Sequence, residues 1–186
     1  MKILHENPPE WIMTGCLNQF RVNLDHTFWT YGDIIYNPGK GTIPDHIIAH
    51  EETHMRQQEA YVKRPEGECI GIEMKCEAHQ DQWFEHKLPD GTECAGPGEP
   101  LERGKDAWWE EYLANPRFRM EQEAQAYGEQ YKFFCKYRKD RNERSRFLNS
   151  ICDLFSGPLY QLALTKSQAR AMIQVLSGEK TLKQVS

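Results

Sequence analysis

His50-Glu51-Glu52-Thr53-His54 constrains this chain more than any other stretch of it. The pattern is H-E-x-x-H. On a helix, residues four apart lie one turn from each other on the same face. Two imidazoles so placed can reach one Zn2+ at the ~2.0–2.1 Å that a Zn–N bond requires. In an extended strand they could not, so the motif demands a helix. The Glu that follows the first His stands beside the metal, where it can take a proton from a water. With 7 His and 20 Glu in 186 residues, such a pattern arises by chance in about 3% of chains of this composition. A third protein ligand must then come from elsewhere in the fold.

The surrounding sequence supplies the helix. Thr42 with Asp45 three residues on reads as a capping box, and Pro44 suits a first turn. The spacing predicts a helix from near Thr42 to about Val62. Before it, Phe20, Val22 and Leu24 alternate with polar residues, and 27–31 and 33–36 are rich in β-branched and aromatic side chains. This predicts a small antiparallel sheet ended by the Asn37-Pro38-Gly39-Lys40-Gly41 turn. Its strand around Thr27 to Tyr31 offers an edge to an extended peptide, although Trp29 suits a core better.

Residues from about 64 to 105 form a turn-rich insertion, with a hairpin expected near Asp90-Gly91. It holds Cys69, Cys76, His79, His86 and Cys94, a candidate second zinc site that lacks a C-x-x-C pair. Helix resumes near Lys105 with Trp108, Trp109, Tyr112 and Leu113. Asn115-Pro116 then provides an N-cap and a first-turn proline for a helix over 117–136. Its apolar stripe is Met120, Ala124, Tyr127, Tyr131 and Phe134. A further helix is expected over 143–155, broken by Gly157-Pro158, and a last one capped by Ser167. The whole reads as one domain over 1–186, α+β and mainly helical, with the small sheet packed on the zinc-binding helix.

The third ligand is sought on the helix opened by Asn115. Residue 57 is Gln and residue 60 is Ala, which excludes H-E-x-x-H-x-x-G-x-x-H. At about 100° per residue from Met120, Glu123 falls near −60°, at the edge of the buried face, whereas Glu121 falls near +100°, toward solvent. Glu123 is therefore the expected ligand and Glu121 the alternative.

H-E-x-x-H with a Glu ligand on a later helix resembles the gluzincin metallopeptidases. The E-x-x-A in which that Glu often stands is matched by Glu123-Ala124-Gln125-Ala126 and also by Glu121-Gln122-Glu123-Ala124. More narrowly, the chain is similar to small metallopeptidases encoded by bacteriophages and prophages. The likeness rests on Trp29-Thr30-Tyr31-Gly32-Asp33 before the zinc helix, on Arg119, on Ala126-Tyr127 with Gln130 after it, and on the Gly157-Pro158-Leu159-Tyr160 turn. It covers most of the chain outside 64–105. The insertion is the departure, separating His54 from Glu123 by 69 residues. The resemblance implies a gluzincin-like fold and Zn2+ held by His50, His54 and Glu123. It also implies Glu51 as general base in peptide-bond hydrolysis, with a Tyr, His or Arg helping the oxyanion. Tyr160 is the candidate helper, with Tyr127 as a second. The alternative function is a zinc-stabilised binding or assembly protein of phage origin without turnover, which would have no need of Glu51.

The expected partner is a peptide or protein substrate. A formal net charge of −5 does not suit a nucleic-acid footprint, and no run approaches the ~18 apolar residues of a membrane span. No apolar signal segment follows Met1, so a cytoplasmic protein with reduced cysteines is expected, in a host cytoplasm if phage-encoded. Sequence leaves the oligomeric state open.

Overall fold

A computed structural model describes residues 1–20, 22–61 and 104–180. The expected hairpin near Asp90-Gly91 and the Cys69/Cys76/His79/His86/Cys94 cluster lie outside the described residues. Ten elements follow in order: β1 (Lys2–Leu4), α1 (Glu10–Gln19), a 3-10 turn (Leu24–His26), β2 (Trp29–Tyr31), β3 (Ile34–Tyr36), α2 (Asp45–Ala60), α3 (Lys105–Ala114), α4 (Pro116–Tyr137), α5 (Arg141–Phe155) and α6 (Lys166–Leu176). The described chain is mainly helical with a small sheet.

The longest helix among the described residues, α4, begins where its sequence dictates. The Asn115 side chain accepts hydrogen bonds from the backbone N–H groups of Arg117 and Phe118, and Pro116 fills the first turn. Ala124, Tyr127 and Tyr131 are buried as the apolar spacing requires. A second stripe on the same helix is also buried: Arg119, Glu123, Ala126 and Gln130, at i, i+4, i+7 and i+11. The apolar stripe packs on α5 and α6 in a core built on Leu148, Ile151, Cys152, Phe155, Ala169 and Ile173. The other stripe, polar but for Ala126, faces elsewhere and meets α2.

On α2 the fully buried positions are His50, Glu51, Thr53, His54 and Gln58. No apolar side chain of this helix is wholly buried. Burying polar groups costs free energy unless each is hydrogen-bonded or paired, so α2 is held by its polar contacts. Beyond it lies a second core, formed by Ile12 and Cys16 of α1, Phe20, Trp29 of β2, Tyr36 of β3, and Trp108, Trp109 and Tyr112 of α3. The Gly104 N–H donates to the Tyr61 carbonyl at 3.0 Å, so the end of α2 and the start of α3 meet.

The sheet differs from the expected antiparallel one. Its order is β1-β3-β2, with β2 antiparallel and β1 parallel to β3, so it is mixed. Residues 18 and 19 belong to α1, and Phe20 caps that helix rather than opening a strand. Leu24–His26 is a 3-10 turn in which the Asn23 side chain accepts from the Asp25 N–H. Two helix starts also move. Proline drives the preceding residue into extended conformation, so α2 cannot start at Thr42. It opens after Pro44, with no side-chain cap. The last helix is capped by Thr165, not Ser167, in a capping box with Gln168. No helix among the described residues is long and apolar enough to cross a membrane.

Candidate metal centre

His50 and His54 stand one turn apart on α2, and Glu123 reaches them from α4. The two Nε2 atoms are 3.1 Å apart. Glu123 Oε2 lies 3.5 Å from His50 Nε2, and Glu123 Oε1 lies 3.4 Å from His54 Nε2. Ligand atoms ~2.0–2.1 Å from a tetrahedral ion are separated by about 3.3–3.4 Å along each edge. The nitrogen–nitrogen and closest nitrogen–oxygen separations are near that edge length, with the two histidines met by different oxygens of Glu123. Glu121 does not join them: it pairs with Arg117 at 3.1 Å and its side chain is half exposed.

The outer contacts settle which atoms face inward. His50 Nδ1 lies 3.0 Å from Gln130 Oε1, and His54 Nδ1 lies 2.7 Å from Gln57 Oε1. An amide oxygen only accepts. With those amide oxygens turned toward them, both imidazoles carry a proton on Nδ1, and Nε2 is the nitrogen that faces Glu123. Tyr112 Oη donates to Glu123 Oε1 at 2.6 Å, whereas among the described residues Oε2 has no hydrogen-bond partner, although Glu123 is only 2% exposed. A buried acceptor left unpaired costs ~1–3 kcal/mol, and more when it carries charge. The two imidazoles and the Glu123 carboxylate form one cluster, with one ligand atom of each within 4.8 Å of the others. That donor set fits a divalent zinc-like cation.

Charge is consistent with this. Burial acts to lower the His54 imidazolium, but Glu123 outweighs it and raises His54 to about 9. Burial likewise acts to raise the Glu123 carboxyl, but His54 and His50 hold it well below the usual carboxylate range. Without a metal, a proton supplies the positive charge these groups share. Burial and the Glu123 charge push the Tyr112 and Tyr160 hydroxyls up, so both remain protonated donors. Cys16 lines the same cavity, but burial pushes its thiol up to about 12 and keeps it neutral.

Glu51 is buried beside the cluster and accepts a hydrogen bond from Thr30 Oγ1 at 2.7 Å. Thr30 lies on β2, and α2 is bound to that strand: Gln58 Nε2 donates to the Thr30 carbonyl at 2.8 Å, while Gln58 Oε1 accepts from the Gly32 N–H. Trp109 Nε1 donates to the same carbonyl at 2.9 Å. Both lone pairs of that oxygen are used. At Thr30, then, the expected peptide-binding edge has no free acceptor. Trp29 is in the core at 3% exposed.

A cavity of about 80 Å3 opens onto the cluster, with room for an ion and a few waters. His50, Glu51, His54 and Glu123 line it, with Phe20, Phe28, Trp108 and Tyr160 among the other lining residues. The Tyr160 hydroxyl lies 3.0 Å from that of Tyr127, whose ring sits edge-on to His50. Arg119 is buried, and no carboxylate among the described residues lies at hydrogen-bond distance from it. Its Nη1 donates to the Tyr112 carbonyl at 2.6 Å and its Nε to the Tyr160 carbonyl at 3.2 Å, so it ties the end of α3 to the Tyr160 turn.

Sequence reasoning did not find Thr30, Gln57, Tyr112 or Gln130 as site residues. Thr30 and Gln130 stand among the residues that carry the resemblance, and the i, i+4, i+7, i+11 spacing of Arg119, Glu123, Ala126 and Gln130 is a signal that could have singled out Gln130. No family model, curated protein or solved structure matches this chain.

Proposed function

We propose that the chain is a zinc-dependent metallopeptidase of gluzincin type, like those encoded by bacteriophages, and that it hydrolyses peptide or protein substrates. The observation that carries this reading is the cluster of His50, His54 and Glu123, one ligand atom of each within 4.8 Å of the others and one Glu123 oxygen without a hydrogen-bond partner among the described residues, beside a buried Glu51. The two imidazole Nε2 atoms and Glu123 Oε2 would hold Zn2+. When bound, the ion supplies a Lewis acid for the scissile carbonyl and makes a coordinated water more acidic.

The remaining chemistry belongs to the chain. Glu51 has one oxygen engaged by Thr30, which leaves the other to accept the proton of the attacking water. Glu51 then delivers that proton to the leaving amine nitrogen. The Tyr160 hydroxyl, protonated and on the cavity wall, would donate to the oxyanion, with Tyr127 holding its orientation. The cavity is too small for a peptide, so substrate would meet the site at its mouth. Purely structural zinc needs no buried free carboxylate next to its first ligand, which favours catalysis over a zinc-stabilised binding role.

Elemental analysis of purified protein should give one zinc per chain from His50, His54 and Glu123. Glu51→Gln should keep that zinc and the fold and lose cleavage of an unfolded protein pool by at least 100-fold. Zinc without cleavage in the wild type would instead support the binding or assembly role, and absence of zinc would end both readings.

A further inference from the structure

His46 lies on α2 one turn before His50, which makes three histidines at i, i+4 and i+8 on that helix. It is not a ligand: among the described residues, the metal-competent cluster is His50, His54 and Glu123. Its ring packs edge-on against Phe134 and Phe147, with centroids 6.0 and 4.9 Å away. Gln130 Nε2 lies 3.1 Å from His46 Nδ1, while Gln130 Oε1 lies 3.0 Å from His50 Nδ1. One buried amide therefore bridges two imidazoles through opposite ends.

The bridge has two self-consistent settings. In one, the amide oxygen faces His50, which must then carry its proton on Nδ1 and leave Nε2 free. The amide nitrogen then faces His46, whose Nδ1 must be a bare acceptor with the ring proton on Nε2. In the other, the amide is turned by 180°. His50 would then accept on Nδ1 and carry its proton on Nε2, where it cannot bind a metal, and His46 would donate from Nδ1. Gln130 is 2% exposed, so water does not supply substitute partners. The protonation of His46 and the ligand competence of His50 are thus tied through one side chain.

We propose that Gln130 is a positioning residue that sets the His50 tautomer for metal binding, and that His46 locks the setting by accepting from the amide. This rests on the zinc reading above. Outer partners of a metal-bound histidine change affinity by ~10–100-fold when removed. An anchor acting through such a partner has a smaller effect.

The test uses full-length protein, with zinc affinity read by a competing chelator and imidazole tautomers read by 15N NMR of histidine-labelled chain. In zinc-loaded wild type, His46 should show a bare Nδ1. Gln130→Leu should weaken zinc by ~10–100-fold. Gln130→Glu keeps an acceptor for His50 and should recover most of that loss. It offers His46 no donor, so His46 should move its proton to Nδ1. His46→Phe keeps the ring packing, and the zinc loss should be less than that of Gln130→Leu. A His46 protonated on Nδ1 in zinc-loaded wild type would overturn the proposal, as would equal zinc affinity in Gln130→Leu and wild type. A merely structural Gln130 would lower the melting temperature of the metal-free protein and leave affinity and tautomer unmoved. Should Gln130→Leu fail to fold, the wild-type tautomer and the other two variants decide. If wild type binds no zinc, the proposed function falls as well; if it binds zinc but the variants do not differ, this inference alone fails.

Discussion

Two helical glycines should respond in opposite directions to the same substitution. Gly15 lies on α1 and Gly128 on α4. In a helix interior, Gly→Ala gains ~1 kcal/mol by propensity alone. A Cβ at residue 15 would lie 2.7 Å from Cδ1 and 3.3 Å from Cδ2 of Leu113. These are the ends of a half-buried side chain that can turn away. Gly15→Ala should therefore keep most of the gain, ~0.5–1 kcal/mol. A Cβ at residue 128 would lie 2.7 Å from Leu176 Cβ and 3.3 Å from the Leu176 carbonyl carbon. That is the final turn of α6, which moves only as a unit. Overpacking of this kind costs ~1–3 kcal/mol, so the net effect of Gly128→Ala is a loss of up to about 2 kcal/mol. For a chain of this length, ~1 kcal/mol corresponds to ~2–4 °C in melting temperature. Urea and thermal unfolding by circular dichroism, both in chelator, measure the pair. A Gly128→Ala protein as stable as Gly15→Ala would refute the claim that α4 and α6 touch backbone to backbone at this point.

Glu123→Ala should weaken zinc by more than the ~100-fold upper range of outer-contact losses, because it deletes a ligand; Glu121→Ala should change it by only a few tenths of a kcal/mol. Chelator competition reads both, and a loss confined to Glu121→Ala would reverse the assignment. Thr30→Val keeps the side-chain volume but removes the donor to Glu51; the lost bond to a charged group is worth ~1.5–3 kcal/mol, so hydrolysis should fall ~10–100-fold at unchanged zinc affinity. Free zinc at 100 times its dissociation constant should stabilise the fold by ~2.7 kcal/mol and raise the melting temperature accordingly, with at most ~0.4 kcal/mol in Glu123→Ala at the same zinc concentration. Metal-free protein should be most stable between the ordinary carboxylate value of 4.5 for Glu123 and the ordinary imidazole value of 6.5 for His54. The depressed carboxyl loses its contribution as pH falls through its folded value, and the raised imidazole loses its own as pH rises through about 9. A profile that is flat from 6.5 to 9 in metal-free protein would contradict the His54–Glu123 pairing.

Helical phase was enough to bring Glu123, and not Glu121, to the two histidines, because α4 is regular from Asn115 onward. What phase could not show was the second buried face. Apolar periodicity registers Ala124, Tyr127 and Tyr131, whereas Arg119 and Gln130 look like surface residues until their partners on α2 and α3 are known. The partners are distant in sequence: Gln130 is 80 residues from His50, and Thr30 is 21 from Glu51. No local pattern encodes such a pairing. The missed strand and helix have a different cause. β1 has three residues and gains its identity only from pairing with β3. In α1 the wholly buried positions are only Ile12 and Cys16, too sparse a signal against the Phe20, Val22, Leu24 alternation that follows. That alternation reflects separate packing of Phe20, Val22 and Leu24 against the second core.

The hydrogen bond from Gly104 to Tyr61 fixes the end of α2 against the start of α3 without using any side chain of the metal centre. His50, Glu51 and His54 lie before that junction and Glu123 after it, and their partners Thr30, Gln57, Tyr112 and Gln130 are carried on β2, α2, α3 and α4. The junction therefore acts as a clasp: it joins the half of the site before Tyr61 to the half after Gly104 by a backbone contact that no side-chain substitution at the metal centre removes. Deleting a ligand should cost the chain its metal without parting the two halves.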